Sequence, residues 1–331
     1  MTTLMLNPAP VAPTAPVAAP VAPRQTIYGT LGMDVSKLTD VDAILAAGGA
    51  EFVAYTAPGT VACLDGKTRP NGTISVIRDD TNEVLGTHKP GYHVIQYKTV
   101  VETALEAVSL AGVGAAIDTV GVMKDGAQFY AAIDLGSLTL DPNGVADKIK
   151  RFLLVFASHN GTFPVMLMPR AHRLACMNEL PMIRWERKAG FGFAAKHTKN
   201  MLDKLATAKQ ALGIADAAAE AFEKQANAML AKPATKVTVE RVVNQMWPLK
   251  AGASDKAKTQ HDNRMGRILG LYAGATNAGG YGDNAWSAYN AITEYLDHGR
   301  GTSVEKRAVA SMTPGSHVEN AKVKALTILS N

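Results

Sequence analysis

The chain of 331 residues is poor in cysteine, poor in aromatic rings and free of long apolar runs, and each scarcity removes a class of protein. Cys63 and Cys176 stand far apart in no CxxC or Cys/His spacing. Neither a disulfide framework nor a zinc site is expected, which fits a reducing cytoplasm. The eight histidines are scattered without an HxxxH pair, so no metal is assigned. No apolar run of roughly 18 residues occurs, and no membrane partner is expected. A GxSxG elbow, a Walker lysine loop and a Rossmann fingerprint are missing as well. Gly190-Phe191-Gly192 is only a fragment of a glycine motif, better explained by a flexible strand. No catalytic residue and no cofactor follow from these patterns.

What remains is an ordinary globular composition, 47% hydrophobic and 19% charged, with enough chain for one large or two modest domains. The first 25 residues carry Pro8, Pro10, Pro13, Pro16, Pro20 and Pro23 in an Ala/Val background, with no basic stretch ahead of them. Prolines at that density forbid the helical core of a targeting peptide. Residues 1–26 read as an extended, polyproline-like, disordered tail.

Order is expected from Ile27. Residues 40–49 suit a short helix capped by Asp40, with Val41, Ile44 and Leu45 on one face and Gly48-Gly49 at its end. Strand-like pieces follow at 52–55, 60–64, 73–78 and 83–86. Val100, Val101, Ala104, Leu105 and Val108 recur at helical spacing within 93–112. Residues 119–123 and 129–134 flank Lys124-Asp125-Gly126, the clearest hairpin signal in the chain. A second hairpin joins 149–157 to 163–168 through His159-Asn160-Gly161. Residues 174–180 read as a short helix, and 182–187 with 190–195 as a third hairpin about Lys188-Ala189.

Beyond His197 good helix formers dominate. Residues 199–231 are expected to be helical with a break near Gly213, followed by 238–247 capped at Thr238, 255–273, and 283–298. The fold class is therefore α+β: antiparallel hairpins with helices over 27–200, and a helical region, 201–331, packed on them.

Charge is unevenly spread. Residues 150–199 hold nine Lys/Arg against Glu179 and Glu186, a local +7 in a chain of +5, so the rest sums to about −2. Six aromatics share the stretch: Phe152, Phe156, Phe163, Trp185, Phe191 and Phe193. Phe152, Phe156 and Phe163 fall on buried strands, which leaves Trp185 and Phe191 for a partner. Positive charge interleaved with flat rings neutralises phosphates and stacks bases. Arg170, Arg173, Arg184, Arg187, Lys188, Lys196, His197 and Lys199 are the candidate phosphate contacts; a solvated basic face is the alternative.

The segment 283–298, DNAWSAYNAITEYLDH, is the densest in polar and aromatic groups. Trp286, Asn290, Thr293 and Asp297 fall along one helical stripe. Either Asn290, Glu294, Asp297 and His298 face a ligand, or the helix is buried and its polar groups satisfy neighbouring backbone.

The succession FLLVFASHNGTFPVMLMPRAHRLACMNEL, a basic stretch ending KHTKN, and NAWSAYNAITEYLDHGR resembles a family of phage- and plasmid-like proteins, the domain of unknown function 932. The residues carrying the resemblance are His159, Asn160, Gly161, Pro169, Arg170, Cys176, Asn178, Leu180, His197, Thr198, Trp286, Asn290, Ala291, Thr293, Glu294, Tyr295, Asp297 and His298. It spans about 86–300 and is most specific in its last motif; the Pro/Ala tail and Ala171-His172 depart from it. The order of hairpins and helices is loosely similar to that of ring-forming single-strand annealing proteins. The resemblance implies a cytoplasmic, oligomeric protein of phage or plasmid recombination.

The expected activity is sequence-independent binding of single-stranded DNA, with no bond broken. Two rivals stand beside it: a structural or host-interaction protein whose basic face meets an acidic partner, and a metal-dependent nucleic-acid enzyme using Glu294 and Asp297.

Overall fold

A computed structural model of the chain describes residues 26–110, 116–181, 193–195 and 209–331. The expected tail (1–25), the hairpin residues 182–192 and the helix start 196–208 lie outside the described residues.

The centre is an antiparallel sheet ordered β1 (Met33–Asp34), β5 (Ala116–Met123), β6 (Gln128–Leu140), β7 (Asp147–Ser158), β8 (Val165–Arg173) and β10 (Phe193–Ala195). β9 (Asn178–Pro181) also pairs with β8, so β10 lines the first half of that strand and β9 the second. The hairpin between β5 and β6 turns where expected. Lys124, Asp125 and Gly126 all take positive φ (54°, 58° and 93°) between the paired Met123 and Gln128, and the Ala127 N–H closes the turn on the Lys124 carbonyl at 3.0 Å. β6 to β8 read as near-continuous apolar runs because helices cover both sheet faces. Phe152, Phe156 and Phe163 are buried, as their strands required.

A smaller sheet precedes this one. β2 (Ala54–Ala62), β3 (Thr68–Arg78) and β4 (Val84–His88) form a meander. Val76 and Leu85 of this meander join a core with Val100, Val101, Ala104 and Val108 of helix α3 (Tyr97–Leu110) and with Leu153, Val155, Val165 and Leu167 of the large sheet. Helix α2 (Val41–Ala47) packs there too; the Asp40 carboxylate accepts from the Ala43 N–H at 2.8 Å, capping it as its sequence predicted. On the opposite face Phe152, Leu154, Met166 and Met168 are covered by α1 (Ile27–Leu31) and by α9 (Val304–Met312).

The remaining helices gather over the far end of the large sheet. They are α4 (Lys209–Ala231), α5 (Lys236–Met246), α6 (Asp255–Ala273), the single turn α7 (Ala278–Tyr281), α8 (Ala285–Glu294) and α10 (His317–Ser330). Phe222, Val239, Val242, Ile268, Trp286, Tyr289, Ile292 and Val318 close on Leu140, Ile149, Ala171 and Leu180. Among the described residues no helix is long and apolar enough to cross a membrane.

Three local expectations are corrected. Residues 174–177 form a tight turn instead of starting a helix: the Met177 N–H returns to the Arg173 carbonyl at 2.8 Å with Met177 at φ 55°, and 178–181 are drawn into the ladder beside β8. Phe193–Ala195, expected in a hairpin with 182–187, are a strand and pair with Val165–Leu167 of β8; residues 182–187 lie outside the described residues. α4 runs through Gly213, where one glycine costs only about 1 kcal/mol against a packed helix. Thr235, not Thr238, occupies the cap of α5, and the Thr238 hydroxyl reaches back to the Thr235 N–H at 3.2 Å.

Candidate functional site

β8 is flanked by strands on both edges and covered on both faces, so alternation sends every side chain of Val165–Arg173 inward. Arg170 and Arg173, offered above to phosphates, are consequently 1% and 0% exposed. They are corrected to structural ion pairs. Arg184, Trp185, Arg187, Lys188, Phe191, Lys196, His197 and Lys199 lie outside the described residues.

Arg170 and its cross-strand neighbours form a buried ionic cluster. Its guanidinium lies 2.5 Å from Glu319 of α10, and its Nε comes within 2.9 Å of Glu179 of β9 without hydrogen-bond alignment. Lys322, also on α10, bonds to the Glu179 carboxylate (2.9 Å), the Glu179 carbonyl (2.7 Å) and Asp297 (2.7 Å). Asp297 in turn accepts from the Glu179 N–H at 2.9 Å and from the Ser311 hydroxyl at 2.6 Å. Burial opposes charge on Arg170 and Lys322, but the facing carboxylates outweigh it and raise both, so both stay protonated. Burial raises Glu179 despite its two cationic neighbours.

Arg173, on the opposite face of β8, anchors a second group. Its Nε donates to Asp147 at 2.5 Å, and Asp147 also accepts from the Trp286 indole at 2.7 Å. The remaining reach of Arg173 goes to the Asn277 side chain (2.9 Å), the Thr276 carbonyl and the Tyr281 ring, 4.3 Å from its centroid. Burial pushes the neighbouring Cys176 thiol up to about 11, although Arg173 pulls the other way.

The helix motif supplies most of these partners. Asn178 of β9 donates to the Asn290 carbonyl and the Thr293 hydroxyl, both at 3.0 Å. The Asn290 amide returns to the Trp286 carbonyl at 2.9 Å, and Glu294 accepts from Asn277 at 3.0 Å. Past Glu294 the helix widens into a π turn, Tyr295–Gly299, which carries Asp297 to Lys322 and His298 to the Met177 carbonyl. Every residue of α8 is buried. Its burial fits the second of the two readings of this helix: Thr293 meets Asn178 of β9, Glu294 meets Asn277, and Asn290 turns back on its own helix.

The carboxylates once weighed for an enzyme part company, Glu294 to Asn277 and Thr276, Asp297 to Lys322 and Ser311. Among the described residues no group of three or more His, Cys, Asp or Glu is disposed to hold a metal ion. What the arrangement does is mechanical. It clamps β9, whose last residue, Pro181, pairs with Arg170, at the threshold of the cationic segment.

Asp147, Glu179, Glu319 and Lys322 were missed from the sequence. Lys322 carried a signal: Val318, Lys322, Ala325 and Leu329 share one stripe of α10, and a lysine on an otherwise apolar stripe asks for a buried partner. Glu319 was hidden behind a cap pattern, three residues after the capping Ser316. Asp147 and Glu179 gave no such cue.

No curated protein and no solved structure matches the chain. A family model does, over residues 84–321, a span that contains β4 to β10, the motif helix and the ionic cluster down to Glu319. The chain thus belongs to the family described as domain of unknown function DUF932.

Proposed function

We propose that this protein binds single-stranded DNA without regard to sequence and promotes annealing, as an oligomer in the cytoplasm of a cell carrying a phage or plasmid. The reading rests on the charge that the sequence concentrates in residues 182–199. Of the nine cations in residues 150–199, Arg170 and Arg173 are spent on buried carboxylates, Lys150 on Asp118 and Asp134, and Arg151 on the Leu135 carbonyl. Glu179, one of the two acids, is spent as well. The other five, Arg184, Arg187, Lys188, Lys196 and Lys199, stand in the sequence against Glu186 alone, a net +4 within residues 182–199 that also hold Trp185 and Phe191. The flanks of 182–192 support the reading: Pro181 pairs with Arg170 and Phe193 with Leu167, three positions apart on one edge of β8. A strand rises about 3.3 Å per residue, so the cation-rich stretch leaves and rejoins the sheet within about 10 Å.

Phosphate contacts release counterions. Five of them on a single strand give a log–log salt slope of about −3.5, and Arg184→Ala with Lys188→Ala brings it to about −2. Fluorescence anisotropy with single-stranded and duplex oligonucleotides over a salt series measures this. Equal affinity of wild type and double variant refutes the assignment of those residues, and no binding at about 50 mM salt refutes the function.

A further inference from the structure

The β2–β3 ribbon outruns its sheet. β4 pairs only with Ile74–Ile77, whereas the β2–β3 ladder continues through Thr60↔Pro70, Val61↔Arg69 and Ala62↔Thr68. From rung 58 to the tip this is up to about 20 Å of two-stranded ribbon. Residues 60–72 are exposed on both faces except for half-buried Cys63. A free two-stranded ribbon is marginal in water, yet this one is braced. At the tip the Cys63 N–H bonds to the Lys67 carbonyl at 2.8 Å, and Asp65 takes both the Lys67 N–H and the Arg69 guanidinium. At the waist the pairing slips between Pro58 and Thr60, and Asn71 accepts from the backbone and hydroxyl of Thr73. Gly59 makes that slip possible: a Cβ there would lie 2.1 Å from the Thr73 hydroxyl. The distal ribbon is thereby aimed by a built-in bend.

What it presents is Leu64, fully exposed at the turn, with Lys67 beside it. The only carboxylate between Ala54 and Ile77 is Asp65, already held by Arg69, so the tip carries net +1 with Thr60, Thr68 and Asn71 behind it. Val61 and Leu64 are its only exposed large apolar side chains, far short of the roughly 800 Å² per partner of a stable protein interface. An apolar side chain flanked by a cation on a slender ribbon suits a nucleic acid, where such residues wedge against base faces. The base of the meander meets the β7–β8 turn of the large sheet. His88 of β4 meets the His159 carbonyl at 2.6 Å, and the same β7–β8 turn leads to Val165, the partner of Ala195, one residue before Lys196.

We infer that the ribbon tip is a second nucleic-acid contact, in which Leu64 lies against a base and parts it from its neighbour while Lys67 meets a phosphate. This rests on the DNA-binding reading above. The test uses the full chain, wild type, Leu64→Ala and Lys67→Ala, with a single strand carrying 2-aminopurine. Leu64→Ala is expected to weaken binding about tenfold with an unchanged salt slope and to abolish the rise in 2-aminopurine fluorescence. Lys67→Ala is expected to lower the slope by about 0.7. If wild type binds and Leu64→Ala matches it in both readouts, the ribbon contact is overturned and the DNA-binding reading survives. Should Leu64→Ala instead shrink the assembly seen by light scattering, the tip meets another copy of the chain, and the inference is overturned. If wild type binds no strand at low salt, both fall. Leu64 is fully exposed, so an unchanged thermal melt certifies the fold of its variant.

Discussion

His172 offers a direct measure of how dry the ionic joint is. Its ring stacks on Tyr28 with centroids 4.3 Å apart and meets the edge of Phe152 at 5.2 Å; it is fully buried, and neither nitrogen has a hydrogen-bond partner among the described residues. Burial, reinforced by Lys322, His298 and Lys150, lowers it from 6.5 to about 3, even though Glu179 sits opposite in register. Between pH 6.5 and 3 the unfolded imidazole takes up a proton and the folded one does not. Stability is therefore lost as pH falls through that window. The full difference of about 3.5 units corresponds to about 5 kcal/mol, of which about 2 kcal/mol is gone by pH 5. Urea unfolding at pH 8 and pH 5, on wild type and on His172→Leu, isolates the term, because the other titrating groups cancel between the two proteins. Wild type should lose about 2 kcal/mol more than the variant. An equal loss in both would mean that His172 is protonated in the fold, and the account of a dry joint would be wrong.

Lys322→Met leaves Glu179 and Asp297 facing each other without their shared cation, and unfolding free energy should drop by about 3–5 kcal/mol; equilibrium denaturation reads this directly. Trp286→Phe keeps most of the ring but deprives Asp147 of the indole N–H, with an expected loss of about 1–3 kcal/mol by the same assay.

Features written locally were legible. The Asp40 cap, the Lys124-Asp125 turn and the bounds of α6 follow from residues that touch one another along the chain. So did the burial of Phe152 and Phe156, since a strand's alternation is a local fact. Arg170 and Arg173 misled because their fate is set largely by distant partners: Asp147 lies 26 positions from Arg173, Thr276 and Asn277 lie 103 and 104, and Glu319 lies 149 from Arg170. A charge count sees two arginines in a basic stretch. Only the sheet shows that β8 is central, with no solvent on either side for them to reach. Residues 174–180 failed for a related reason, because Leu174, Ala175 and Met177 are taken up by the turn that brings Asn178–Pro181 back beside β8.

The bonds made by Glu179 reach further than the joint itself. In an antiparallel ladder the N–H and C=O of alternate residues point away from the partner strand, toward whatever strand might come next. At Glu179 both of these groups are taken, the N–H by Asp297 and the carbonyl by Lys322. Two side chains occupy the place of a visiting backbone. Another copy of the chain therefore cannot prolong the sheet across β9, and any ring or filament must be assembled through other surfaces.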